Sequence, residues 1–109
     1  MKALVVDDNE NALTILTNYL EQFSFDVIQA HSGEEALSLM QHSKEPIKLV
    51  MLDYLMPGLN GIETARKIHE TFPASDIKLI LVSSLNQADY AADPGFELLD
   101  NYLSKPTNP

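Results

Sequence analysis

Two short apolar runs along the chain each end on acid. Ala3-Leu4-Val5-Val6 is closed by Asp7 and Asp8, and Ile47-Lys48-Leu49-Val50-Met51-Leu52 is closed by Asp53. Runs of this kind predict strands of a parallel sheet that is covered on both faces. Between them the apolar period becomes helical. Ala12, Leu16, Tyr19, Leu20 and Phe23 give one face to a helix over 11–23. Residues 25–30 read as a short strand. Ser32-Gly33-Glu34-Glu35 fits a capping box, with the Ser32 hydroxyl on the helix start and Glu35 reaching back. Ala36, Leu37 and Met40 then line a second helix, which Lys44-Glu45-Pro46 breaks. Pro57-Gly58-Leu59-Asn60-Gly61 predicts a turn, and Ile62, Ala65, Ile68 and Phe72 predict a third helix ending near Pro73. Residues 77–82 read as another buried strand. Residues 87–92 fit a short helix that stops near Asp93-Pro94-Gly95, and Tyr102-Leu103 belongs to a last strand.

The resulting order is βαβαβαβαβ. Right-handed crossovers put helices on both faces of one parallel sheet, so the fold class is α/β, doubly wound and five-stranded. A length of 109 residues suits one domain over 1–109. A further helix would be expected after the fifth strand, and the pattern supplies none before Pro109. The domain therefore reads as truncated there, lacking its last helix. Leu4, Val6, Leu79, Leu81 and Leu103 alternate along their strands, and this set is expected to face the uncovered side. An apolar face of that size favours association, so a homodimer or reduced stability is expected.

Acids that end parallel strands gather at the carboxyl edge of the sheet, where open α/β folds bind ligands. Carboxylates crowded there repel one another, and a hard divalent cation such as Mg²⁺ relieves the repulsion with oxygen ligands. Asp7, Asp8 and Asp53 thus predict a metal-bound cluster around one reactive aspartate. Plainer roles exist for each. Asp-Asp-Asn before a helix is good capping chemistry, and Asp53 alone would suit a turn or cap.

Composition narrows the function. Sixteen acids against seven bases give a net charge of −9, which argues against direct nucleic-acid binding through phosphates. The absence of cysteine excludes a disulfide framework, a thiol nucleophile and a cysteine-ligated zinc site. No apolar stretch approaches the roughly 20 residues of a membrane helix, and strand-like residues begin at Lys2, so no signal peptide is expected. A cytoplasmic domain without membrane insertion is the expectation.

Four segments, together with Gly61, carry a resemblance. Val6-Asp7-Asp8-Asn9, Asp53-Tyr54-Leu55-Met56-Pro57 with Gly61, Val82-Ser83-Ser84, and Tyr102-Leu103-Ser104-Lys105-Pro106 stand in the order and spacing of one family. Over 2–106 the chain resembles the receiver domain of two-component response regulators. The resemblance implies the flavodoxin-like strand order 2-1-3-4-5. It also implies a phosphorylation-dependent switch that takes a phosphoryl group from a histidine kinase or a histidine phosphotransfer protein.

By the same resemblance, Asp53 is the phosphoryl acceptor. Asp8 and Asp53 ligate Mg²⁺ directly, the Leu55 carbonyl is a third ligand, and Asp7 acts mostly through water. Ser83 and Lys105 meet the phosphoryl oxygens, with the Lys105–Pro106 peptide cis in the family. Tyr102 occupies the place of the switch aromatic, although a half-buried strand tyrosine is the plainer reading. Leu55 and Leu85 stand where the family tunes the hydrolytic water, and neither can hydrogen-bond it. A long-lived aspartyl phosphate, suited to a phosphorelay, is expected. Asp93-Pro94-Gly95 and Lys105-Pro106-Thr107 also resemble receivers of hybrid sensor histidine kinases. His31, His42 and His69 share no spacing and are expected to be solvated.

Three rivals are weaker. An aspartyl-nucleophile phosphatase of the haloacid dehalogenase type would want a second aspartate two residues past the nucleophile, where Leu55 stands. An FMN binder would want a Ser/Thr- and Gly-rich phosphate loop after the first strand, where Asp7-Asp8 stands. A pseudo-receiver that only binds partners would not need every site position filled. The expectation is a signalling module and not an enzyme.

Overall fold

The computed structural model describes residues 1–72, 76–84 and 90–104. Its elements are β1 (Lys2–Val6), α1 (Glu10–Glu21), β2 (Asp26–Ala30), α2 (Gly33–His42), β3 (Ile47–Asp53), α3 (Gly61–Thr71), β4 (Lys78–Ser83), a single 3-10 turn (Phe96–Leu98) and β5 (Asn101–Ser104). One five-stranded sheet forms in the order β2-β1-β3-β4-β5. Every pair is parallel. This is the flavodoxin-like order that the resemblance implies, within the doubly wound parallel sheet expected from the alternation of strands and helices. No helix follows β5 among the described residues.

Alternation along each strand sends successive side chains to opposite faces. Leu4, Val6, Leu52 and Leu81 pack against α2 and α3 through Ala36, Met40, Ile62 and Ile68. Ala3, Val5, Met51 and Val82 pack on the other face against Leu13, Leu16 and Leu20 of α1. The apolar set expected on an uncovered side is therefore corrected. Leu4, Val6, Leu79 and Leu81 belong to the core under α2 and α3. Leu103 lies in register with Val82, on the α1 side, and is 41% exposed. The phase of the strand, one residue out from the expectation, decides the face.

Helix α1 also departs from its expected face. Its buried residues are Ala12, Leu13, Leu16 and Leu20. Tyr19 and Phe23 are exposed and meet each other edge-on, with ring centroids 5.3 Å apart. One residue of helix is a rotation of about 100°, so Tyr19 lies well round from Leu20. The chain then leaves the helix and passes through Ser24 at φ 68°. In the segment expected to form a short helix, residues 90–92 are turn and residues 87–89 lie outside the described residues. No helix among the described residues is long and apolar enough to cross a membrane.

Candidate functional site

Parallel register delivers three strand ends to one edge of the sheet. Asp7 follows β1, Asp53 ends β3 and Ser83 ends β4. Val6 pairs with Leu52, and Asp53 with Val82. The register sets Asp7 beside Asp53 and Ser83 one step beyond. Carboxylate oxygens of Asp7, Asp8 and Asp53 all lie within 4.8 Å of one another. Asp7, Asp53 and Ser83 are buried, whereas Asp8 is exposed. Three anions at this spacing repel unless a cation joins them. An all-oxygen donor set with one side open to solvent fits Mg²⁺, which keeps several of its waters.

Local hydrogen bonds fix the acids in place. Asp7 Oδ1 accepts the Asn9 N–H at 2.9 Å, and Asn9 Oδ1 accepts the Ala12 N–H at 3.0 Å. Asn9 is therefore the cap of α1, and the capping role falls to it alone in the Asp-Asp-Asn stretch. After Asp53, the Gly61 N–H donates to the Tyr54 carbonyl at 2.9 Å. A Cβ at Gly61 would lie 2.5 Å from the Asp53 carbonyl oxygen and 2.6 Å from Leu81 Cδ1. Only glycine lets α3 begin this close to the acceptor strand. The start of α3 is secured by a capping box, Glu63 N–H to Asn60 Oδ1 and Asn60 N–H to Glu63 Oε1, both at 2.8 Å.

Leu55, two residues past Asp53, is 58% exposed. Tyr102 is on β5 in register with Leu81. Its ring meets Phe96 and Tyr90 at centroid distances of 5.6 and 6.4 Å. Lys105, Pro106 and Leu85 lie outside the described residues.

Beside the acids stands a cluster around His31, a residue expected only to be solvated. His31 follows β2 and bridges the first turns of α1 and α2. Its Nε2 lies 2.5 Å from Glu10 Oε1 and its Nδ1 3.2 Å from Glu35 Oε1. Glu35 Oε1 also accepts the His31 backbone N–H at 2.7 Å. The capping box expected at Ser32 is thus half formed. Ser32 Oγ accepts the Glu35 N–H at 3.0 Å, but the carboxylate turns to His31, which offers both a backbone N–H and a ring. Two glutamates flanking a strand-end histidine at predicted helix starts were the available signal.

The hydrogen bonds to Glu35 and then Glu10 hold the His31 pKa above its ordinary 6.5. The His31 backbone N–H, followed by its ring, holds Glu35 below the ordinary carboxylate value. The stability that His31 contributes is complete below pH 6.5, and it is lost as pH rises through the raised folded-state value. The contribution is small because the site is exposed. A proton NMR titration is expected to place His31 above 6.5 in the native chain and to lower it in Glu35→Gln. A native value at or below 6.5 would refute the bridge in solution.

Comparisons with known proteins point to one family. A family model described as the response regulator receiver domain matches residues 3–109. The chain is 40% identical over 108 residues to the transcriptional regulatory protein CpxR of Escherichia coli K12, covering 98% of this chain and 44% of that protein. It is 37% identical over 112 residues to the alkaline phosphatase synthesis transcriptional regulatory protein PhoP of Bacillus subtilis, covering 99% and 43%. The chain thus spans less than half the length of these relatives. Among solved structures, the response regulator TrrA of Thermotoga maritima, in complex with Mg(2+)-BeF, superposes with a TM-score of 0.83 at 33% identity, covering 98% of this chain and 88% of that one.

Proposed function

Because the chain belongs to the response regulator receiver domain family, with its family match over residues 3–109, we propose that it is a phosphorylation-controlled switch whose acceptor is Asp53. The observation that carries this reading is the convergence of Asp7, Asp8 and Asp53 within 4.8 Å at the edge where Ser83 also ends its strand. A strand end holds the acceptor fixed and reachable, as a nucleophile must be.

In the proposed reaction an Asp53 carboxylate oxygen attacks phosphorus of a phosphohistidine in line. The new O–P bond forms as the N–P bond breaks, and the imidazole nitrogen of the donor leaves with the electron pair. Asp8 and Asp53, with the Leu55 carbonyl and Asp7 through water, would hold Mg²⁺. That ion would supply charge stabilisation to the equatorial phosphoryl oxygens. The Ser83 hydroxyl donates a hydrogen bond to one of those oxygens, and the Lys105 ammonium balances another. Filling these positions biases the Ser83 and Tyr102 region between two arrangements.

The donor would be a histidine kinase or a histidine phosphotransfer protein in the cytoplasm. The domain promotes only its own phosphorylation and dephosphorylation, so it acts as a signalling module and not as a metabolic enzyme. The test is incubation with Mg²⁺ and a small phosphodonor, followed by intact-mass measurement. One added phosphoryl group is expected. An unchanged mass under conditions that label another receiver would favour a partner-binding pseudo-receiver.

The aspartyl phosphate is expected to persist. Hydrolysis needs a water held in line behind phosphorus, and the exposed side chain of Leu55 offers that water no hydrogen bond. Replacing both Leu55 and Leu85 by polar residues is expected to shorten the half-life, because a polar side chain can hold that water in line. The decay of the labelled mass reads this. A wild-type half-life of seconds that the double variant leaves unchanged would refute the shielding role.

A further inference from the structure

Tyr54 directly follows Asp53, and its buried side chain belongs to the core on the α3 side of the sheet. Its hydroxyl donates to Asp93 Oδ2 at 2.5 Å, across 39 residues of sequence. Asp93 in turn organises the segment that leads into β5. The Asp93 N–H donates to the Tyr90 carbonyl at 3.0 Å, and the Phe96 N–H donates to the Asp93 carbonyl at 3.1 Å. Gly95, at φ 106°, seats this turn on α3, where an added Cβ would come within 2.4 Å of Arg66 Cγ.

Rings continue the connection. Tyr90 is buried and lies 5.2 Å from Tyr54 and 5.9 Å from Phe96, centroid to centroid. Phe96 lies 5.6 Å from Tyr102. An unbroken aromatic line thus runs from the residue after the acceptor to the exposed β5 edge.

We infer that Tyr54 and Asp93 form a latch that couples the acceptor strand to the β5 edge through Tyr90, Phe96 and Tyr102. The inference rests on Asp53 as acceptor, and it supplies a route to Tyr102 that bypasses Ser83. A hydrogen bond to a carboxylate is among the stronger kinds, so this one holds the 90–99 segment in its present arrangement. Movement of the Asp53–Tyr54 strand end weakens it and releases the rings to repack. Packed clusters of this sort have discrete alternatives and do not deform continuously.

The test uses the full 109-residue chain, with Tyr54→Phe, Asp93→Ala and the double variant. Amide hydrogen exchange at Asp93, Phe96, Leu98 and Leu99 reads the segment without any phosphodonor. Each single variant is expected to speed exchange there roughly tenfold or more, while the β1 and β3 amides hold. The double variant should add nothing further, the signature of one shared interaction. Asp93→Asn, which keeps an acceptor oxygen, should restore part of the protection. Intact mass then reads labelling separately, and Tyr102 ring signals read the response. Tyr54→Phe should still take a phosphoryl group but show a reduced Tyr102 response. Unchanged exchange, multiplying effects in the double variant, or a full Tyr102 response in labelled Tyr54→Phe would each overturn the latch. Loss of labelling in Tyr54→Phe alone would overturn it too, by placing the tyrosine in the transfer itself. Failure of the wild-type chain to label strikes the acceptor reading, and the exchange measurements still decide the latch.

Discussion

Asp53→Asn is expected to abolish phosphoryl labelling completely while leaving the chain folded. The amide is nearly isosteric with the carboxylate but has no nucleophilic oxygen, so the O–P bond cannot form. Stability should not fall. Asp53 is buried with oxygens close to those of Asp7 and Asp8, and removing one of three like charges relieves repulsion. Without Mg²⁺ the variant should melt at or above the wild-type temperature. Intact mass after treatment with Mg²⁺ and a small phosphodonor checks the first statement, and a thermal melt checks the second. Full labelling of Asp53→Asn would remove the central role assigned to this residue.

Loss of the second acid should separate metal binding from folding. Asp8 is exposed and does not cap α1, which Asn9 does. Substitutions at such positions usually change stability by no more than about 0.5 kcal/mol. Asp8→Ala should nevertheless weaken Mg²⁺ binding by at least the roughly 10–100-fold that loss of a supporting outer-shell partner costs a metal site. Labelling at fixed, subsaturating Mg²⁺ should fall in proportion, and a high Mg²⁺ concentration should restore part of it. Calorimetric titration of Mg²⁺ into both chains decides the point. Equal affinities would exclude Asp8 from the ligand set.

The strands were legible because unbroken apolar runs leave few alternatives, and the two-faced parallel sheet followed from right-handed crossovers, whereas the strand order came only with the resemblance carried by the site motifs. That Asp7, Asp8 and Asp53 meet also followed, since strand ends in parallel register share an edge. The phase of each strand was less legible. Leu4 and Leu103 read alike in sequence, yet they lie on opposite faces, and one residue of register decides which. Tyr19 and Phe23 fit the helical spacing but fall outside the buried stripe, because spacing alone does not fix the width of the covered face. The His31 bridge needed two helix starts to be placed side by side. Tyr54 and Asp93 are 39 residues apart and carry no mutual pattern, so only the folded chain joins them.

The strand order also divides the molecule along the chain. Residues 1–53 contain β2, β1 and β3, three neighbours in the sheet, together with α1 and α2. All three acids of the cluster lie within that stretch. Ser83, Asp93 and Tyr102 come later. The acidic edge is therefore carried wholly by the β2-β1-β3 half, and the residues that respond to it are carried by the other. Substitutions at Asp93 or Tyr102 are accordingly expected to alter how the signal is read while sparing the acidic edge itself.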